Sequence, residues 1–169
     1  NILFVDIETV TAEENYDDLS PVIQQAWNRK AEFFREADTK TSAELFVERA
    51  ALYAEFGKIV SIAIGYFHAL DDERNELRIK CITYPDEIAV LHEFVETVER
   101  FDQNQLRLCA HNGRDFDYPY LCRRLLIHGI ELPKSLQLMN KKTWEVPHLD
   151  TMEMWKFGEY KKFVPLDLL

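Results

Sequence analysis

The run Ile2-Leu3-Phe4-Val5-Asp6-Ile7-Glu8-Thr9 constrains this chain more than any other stretch, because apolar and β-branched residues there enclose two carboxylates one residue apart. In a β-strand, side chains alternate faces and rise about 3.3 Å per residue, so Asp6 and Glu8 share a face about 6 to 7 Å apart. At that separation two carboxylates can bind the same cation. Ile2, Leu3, Val5 and Ile7 are residues that fill both faces of a strand buried between helical layers. Two unpaired acids inside such a strand would be costly to bury. A solvated strand end and a metal site both satisfy that constraint, and the strand alone leaves both open.

The 169 residues, 47% of them hydrophobic, suit one globular domain with a real core. No run of 18 apolar residues exists and no signal pattern opens the chain, so a soluble intracellular protein with no membrane partner is expected. Cys81, Cys109 and Cys122 are odd in number and lack C-x-x-C spacing, which argues against a disulfide framework or a zinc site and fits a reducing cytoplasm. The net charge of -10 at first argues against nucleic acid, whose phosphates reward basic surfaces. The charge is uneven, however. Residues 1–105 hold 22 acids against 10 Lys or Arg, and residues 106–169 hold 8 against 10. A polyanion could approach the second part, particularly with metal ions neutralising the acids.

A helical insertion is expected over about residues 10–56. It opens on the acidic loop Glu13 to Asp18, and Ser20-Pro21 then gives an N-cap and a proline at the first helical position, followed by Val22, Ile23, Ala26, Trp27, Lys30, Phe33 and Phe34 at helical spacing. Thr41-Ser42 starts a second helix with Leu45, Arg49, Leu52 and Phe56 on one face, ended by Gly57. These aromatics read as packing, in an insertion placed to border whatever Asp6 and Glu8 do. Lys58 to Phe67 and Leu77 to Tyr84 read as strands joined by the acidic turn Asp71 to Glu76. Pro85-Asp86-Glu87 starts a helix whose Ile88, Leu91, Val95, Val98 and Phe101 are expected to face inward. Leu106 to His111 returns as a strand, and residues 117–128 form a helix stopped by Gly129. Three strands, a helix, a strand and a helix describe an α/β sheet with a parallel return.

Residues 109–121 lie at the last strand-to-helix junction, with a turn at Asn112-Gly113 and Asp117 where the helix begins. Asp117, or Asp115 instead, could be a capping residue favoured by the helix dipole. Asp117 could equally lean toward Asp6 and Glu8 to complete a cluster. Spacing does not choose between the two.

The pairing of Val5-Asp6-Ile7-Glu8-Thr9 with Asn112 and Phe116-Asp117, followed by Tyr120-Leu121, resembles the first two motifs of the DEDD superfamily of 3′-to-5′ exonucleases. It is most similar to the stand-alone bacterial proteins related to the proofreading exonuclease domain of family-B DNA polymerases. The likeness covers the strand order as well as the motifs, and so most of residues 1–169. The resemblance implies a ribonuclease H-like mixed sheet flanked by helices. It also implies two divalent cations, Mg2+ or Mn2+, with Asp6 bridging both, Glu8 on one and Asp117 on the other, to activate a water and stabilise charge on the scissile phosphate. Asn112 would order the turn or touch the substrate, and the main chain near Thr9 would sit by the terminal 3′-hydroxyl. The substrate implied is the 3′ end of single-stranded nucleic acid, DNA before RNA. A catalytically inactive binding module on the same fold is the rival from another class, and an endonuclease or recombinase is disfavoured by the N-x-x-x-F-D pattern.

Members of the superfamily carry a fourth acid preceded by Tyr or His at fixed spacing, and no such pair is visible here. Asp150 reads as an N-cap or strand end, His148 as structural, and Asp167 as part of a helix's first turn. The fourth acid is therefore expected beyond Leu169. His68, His92 and His128 read as surface residues. Arg123 and Arg124, Lys141 and Lys142, and Lys161 and Lys162 are the basic material available to hold a phosphate backbone, and Tyr118 and Tyr120 could stack on bases or pack in the core.

Overall fold

A computed structural model of the chain describes residues 1–71, 74–159 and 163–168, apart from the side chains of Thr143 and Asp167. Asp72, Glu73, Lys161 and Lys162 from the sequence analysis therefore lie outside the described residues. Five strands, β1 (Ile2–Thr11), β2 (Gly57–Ala69), β3 (Asn75–Thr83), β4 (Arg107–Ala110) and β5 (Leu149–Asp150), form one sheet in the order β3-β2-β1-β4-β5. β1 to β3 are an antiparallel meander, and β4 and β5 run parallel to β1. This is the mixed α/β sheet that the pattern predicts and the ribonuclease H-like arrangement that the resemblance implies, with the D-x-E strand at its centre.

Two helices, α3 (Glu87–Glu99) and α4 (Asp117–Ile127), cover one face of the sheet. Leu3, Val5 and Ile7 of β1 point into that side and join Ile62, Leu91, Phe94, Leu121 and Leu125 in the main core. The other face corrects the expectation of a strand buried on both sides, because Ile2 and Phe4 are each 36% exposed and Asp6 and Glu8 are exposed beside them. An apolar run shows that a strand is central but not whether a second layer covers it. The open face holds a trough of about 340 Å3, with Phe4, Asp6, Phe67, Ile79, His111 and Leu166 on its walls.

The insertion carries α1 (Pro21–Ala31), capped by Ser20, and α2 (Ser42–Arg49), whose Thr41 and Glu44 form a reciprocal capping box. The second helix is shorter than predicted. It ends at Arg49 and passes through a 3-10 turn, and Gly57 opens β2 instead of closing a helix. A Cβ there would lie 2.3 Å from the Tyr120 hydroxyl, so close approach explains that glycine. The insertion builds its own small core around Trp27, which is fully buried among Phe46, Phe56 and Tyr53 and donates its indole N–H to the Ser42 carbonyl at 2.8 Å. The Ala51 carbonyl accepts from Thr9 Oγ1 (2.9 Å) and the Tyr120 hydroxyl (3.0 Å). That one carbonyl fastens the insertion to β1 and α4 together. Among the described residues no helix is long and apolar enough to cross a membrane.

α3 is rotated from its predicted phase. Glu87, Val90, Leu91, Phe94 and Val98 face inward, and Ile88 is 41% exposed. Glu87 is buried because Arg124 of α4 meets it, and that pair removes Arg124 from the candidate phosphate contacts. His128 is likewise no free surface residue, since its Nε2 lies 2.7 Å from Glu87 Oε2. Tyr118 and Tyr120 are each 1% exposed and belong to the core, so neither stacks on a base.

Candidate active site

β1 pairs with β4 only at Ile2, Leu3 and Phe4. Further along, no described residue of β4 is its neighbour, and the Ile7 N–H donates instead to Asp117 Oδ1 at 3.2 Å. Ile7 stands between Asp6 and Glu8, so the third acid docks onto the backbone of the D-x-E motif itself. The open end of a sheet, where a central strand parts from its neighbour, is where α/β proteins commonly place a site. On the other side of β1, the register with β2 shifts between Glu8 and Thr9, with pairing passing from Ser61 to Ile59. The irregularity sits beside the acids, as bulges often sit beside functional residues.

Asp117 is the first residue of α4, yet neither it nor Asp115 serves as a side-chain cap; the N-cap position is Phe116, which offers none. Only 3% of Asp117 is exposed. Burial, the charge of Asp6 and the more distant charge of Asp150 push its carboxyl up to about 7, against the opposing pull of its own N–H and that of Ile7. Asp6 and Glu8 accept no hydrogen bond and form no ion pair with any described residue. Two carboxylates are thus close enough to repel, and a third follows on the same face of the strand.

Asn112 holds the left-handed conformation at φ 61°, which Asn tolerates better than most residues. Gly113 follows because a Cβ would lie 2.5 Å from the Ala110 Cβ and 2.9 Å from the Tyr118 ring. Asp150 holds the turn in place. Its Oδ1 accepts from the N–H groups of Asn112 (2.9 Å), Met152 (3.0 Å) and Glu153 (3.4 Å), and its Oδ2 from Arg114 (3.0 Å). It is the N-cap of α5 (Thr151–Lys156), as predicted, and its lone pairs are committed to structure. Alanine at Asp150 is expected to cost about 2 kcal/mol by leaving these N–H groups without their acceptor, measured as a lower urea midpoint, with Asp150→Asn closer to wild type.

His148 is fully buried, with Nδ1 accepting from the Leu108 N–H at 3.1 Å and Nε2 donating to the Ser135 carbonyl at 2.9 Å. Burial pushes its pKa down to about 4, so it is a neutral structural imidazole. His111, not singled out in the sequence, links Thr151 Oγ1 (2.9 Å) to the Val164 carbonyl (2.5 Å) at the rim of the open face. Thr9 spends its hydroxyl on the Ala51 carbonyl, so its side chain is committed to structure. Asp167's side chain lies outside the described residues.

Among the described residues no three His, Cys, Asp or Glu side chains converge tightly enough to hold one ion together. The repulsion between Asp6 and Asp117 nevertheless fits a cation. An oxygen-only donor set suits Mg2+ or Mn2+, and a positive charge between the two would relieve what raises Asp117.

These features define a mixed α/β domain with an acidic site on its central strand, where that strand has parted from β4. The family model of predicted 3′-5′ exonucleases related to the exonuclease domain of PolB matches residues 51–169, and the chain belongs to that family. Among solved structures it is similar to the family B DNA polymerase of the hyperthermophilic archaeon Pyrobaculum calidifontis, at 18% identity and a TM-score of 0.42 over 78% of this chain. The chain spans 11% of that polymerase. No curated protein is matched.

Proposed function

We propose that the chain is a metal-dependent 3′-to-5′ exonuclease that hydrolyses phosphodiester bonds at the 3′ end of single-stranded DNA, with RNA the nearest alternative substrate. The observation that carries this is the seating of Asp117 on the Ile7 N–H between Asp6 and Glu8, raised to about 7 by burial and by Asp6. Asp6, Glu8 and Asp117 would hold two Mg2+ or Mn2+ ions. When bound, such ions activate water and offset charge on a phosphate. The protein's own share is positional. β1 presents Asp6 and Glu8 on one exposed face, the Ile7 N–H aims Asp117 at them, and Asp150 fixes the turn that offers Asn112 to the substrate. The main chain at Thr9, pinned through Ala51, borders the place of the terminal 3′-hydroxyl. Three free cysteines, Cys81, Cys109 and Cys122, support work in a reducing cytoplasm.

Single strands of DNA and of RNA, labelled at either end and incubated with Mg2+ or Mn2+, test this directly. Wild-type protein is expected to release the 3′ label first, as a mononucleotide, and Asp6→Ala to release none. Binding without release by both proteins would leave a non-catalytic nucleic-acid module in its place.

A further inference from the structure

Beside α4 runs a groove of about 480 Å3, from Arg114 and Pro119 at the start of the helix to Leu126 near its end, closed opposite by residues between Leu132 and Val146. Its charged lining residues are Arg114, Arg123 and Lys141, with no acid among them, on a chain of net charge -10. Arg123 and Lys141 are exposed and have no ion-pair or hydrogen-bond partner among the described residues. Arg114 is held rigidly, its Nη2 on the His148 carbonyl at 2.9 Å, yet its buried Nε has no partner. The floor is apolar, with Met139 73% exposed on its wall. In the chain between the lining residues Lys141 and Val146, Trp144 is 74% exposed, and the Lys142 ammonium lies 5.2 Å from its ring centroid.

Basic side chains along an apolar floor, with an exposed aromatic alongside, match a single strand, whose phosphates and base faces need different partners. We propose that this groove carries the nucleic-acid strand leading away from the 3′ terminus, an inference that rests on the exonuclease reading of the acidic site. Continuity supports that occupant over an acidic peptide. Arg114, which lines one end of the groove, belongs to the same turn as Asn112 and lies three residues before Asp117 in the chain, so that end of the groove adjoins the turn that leads to the third acid.

Binding of a short fluorescein-labelled oligothymidylate, followed by anisotropy in EDTA across a range of KCl, reads the groove without hydrolysis. Arg123→Glu with Lys141→Glu is expected to weaken binding at least tenfold and to flatten the log–log salt slope by about 1.4, about 0.7 for each lost phosphate contact. The Gln pair at the same positions should give the same flattening with a smaller loss. Arg78→Glu with Arg100→Glu changes net charge equally, on β3 and at the end of α3, and should leave much tighter binding. Hydrolysis of the p-nitrophenyl ester of thymidine 5′-monophosphate, which reaches only the carboxylates, should be the same in all of them. An unchanged slope in the groove pair, an equal loss in the control pair, or equal affinity for polyglutamate would each overturn the proposal. Failure of the wild type to cleave the ester would sink the exonuclease reading instead, while the binding curves still decide the groove.

Discussion

Asparagine in place of Asp117 is expected to lower strand degradation on the order of a thousandfold or more, and at pH 8 to make the cation-free protein more stable than wild type. The two effects share one cause. In the unfolded chain an Asp titrates near its ordinary value of 3.8; in the fold, burial and the charge of Asp6 raise Asp117 to about 7. Between those pH values the folded protein binds more protons than the unfolded one, so stability without a cation falls as pH rises through about 4 to 7 and levels off above. The loss is on the order of 4 kcal/mol. Asparagine keeps an acceptor for the Ile7 N–H and carries no charge, so that slope disappears. Mn2+ should stabilise wild type by mass action, more at pH 8 than at pH 6 where protons compete, and should do little for Asp117→Asn. Urea melts at both pH values, with EDTA or with Mn2+, check this. A variant no more stable than wild type in EDTA at pH 8, or equally responsive to Mn2+, contradicts a cation between Asp6 and Asp117.

Much of this site is legible in the sequence because its parts are local. The D-x-E spacing on an apolar strand fixes which side chains share a face, and Asn-Gly followed by an acid at a helix start fixes a turn and a first helical position. The encounter of the two is not local. Asp117 reaches a backbone N–H 110 residues earlier, and only the parting of β1 from β4 leaves that N–H free to be met. Asp117 could for that reason be read as an ordinary cap until the structure placed it. Asp150 was recognisable as a cap of α5, but its simultaneous hold on the turn at Asn112 depends on β5 lying next to β4. With only two residues in β5, no periodicity announces it.

The fold was legible to a similar depth. The adjacency of the first three strands, the parallel return, both helices of the main layer and the helix starts at Ser20, Thr41 and Pro85-Asp86 follow from pattern and capping chemistry, while the strand order came with the family resemblance. Two errors have one origin, an acid placed inward and a base placed to meet it. Residues 87, 90, 91, 94 and 98 describe a clean helical stripe once Glu87 is admitted to the inner face; an apolar-only pattern starts at Ile88 and rotates the helix. Arg124, as part of an Arg-Arg pair, looks like surface charge until its partner 37 residues away is known.

That partnership predicts the largest loss of stability outside the acidic site. Arg124 donates its Nε to Glu87 Oε1 at 2.8 Å, its Nη2 to Oε2, and its Nη1 to the Ala54 carbonyl at 2.8 Å. Glu87 Oε1 also accepts the Ile59 N–H at 2.7 Å, and His128 closes the group on Oε2. Burial alone would raise the Glu87 carboxyl, but the bonds from Arg124, Ile59 and His128 outweigh it and hold the carboxyl below its ordinary value. This contribution to stability is therefore present above about pH 4.5 and lost as pH falls below it. Glu87→Ala strands a guanidinium that is 8% exposed and an N–H at the start of β2, and is expected to cost about 3 to 5 kcal/mol. Removing both charges should cost much less. A Glu87→Met, Arg124→Leu double variant, apolar and of similar volume, is expected to lie within about 1 to 2 kcal/mol of wild type, because the desolvation of both ions is relieved along with their attraction. Chemical denaturation of the two singles and the double gives the coupling directly. If the double loses as much as the sum of the singles, the pair is no coupled buried ion pair and its two backbone contacts, Ile59 N–H and the Ala54 carbonyl, must act independently.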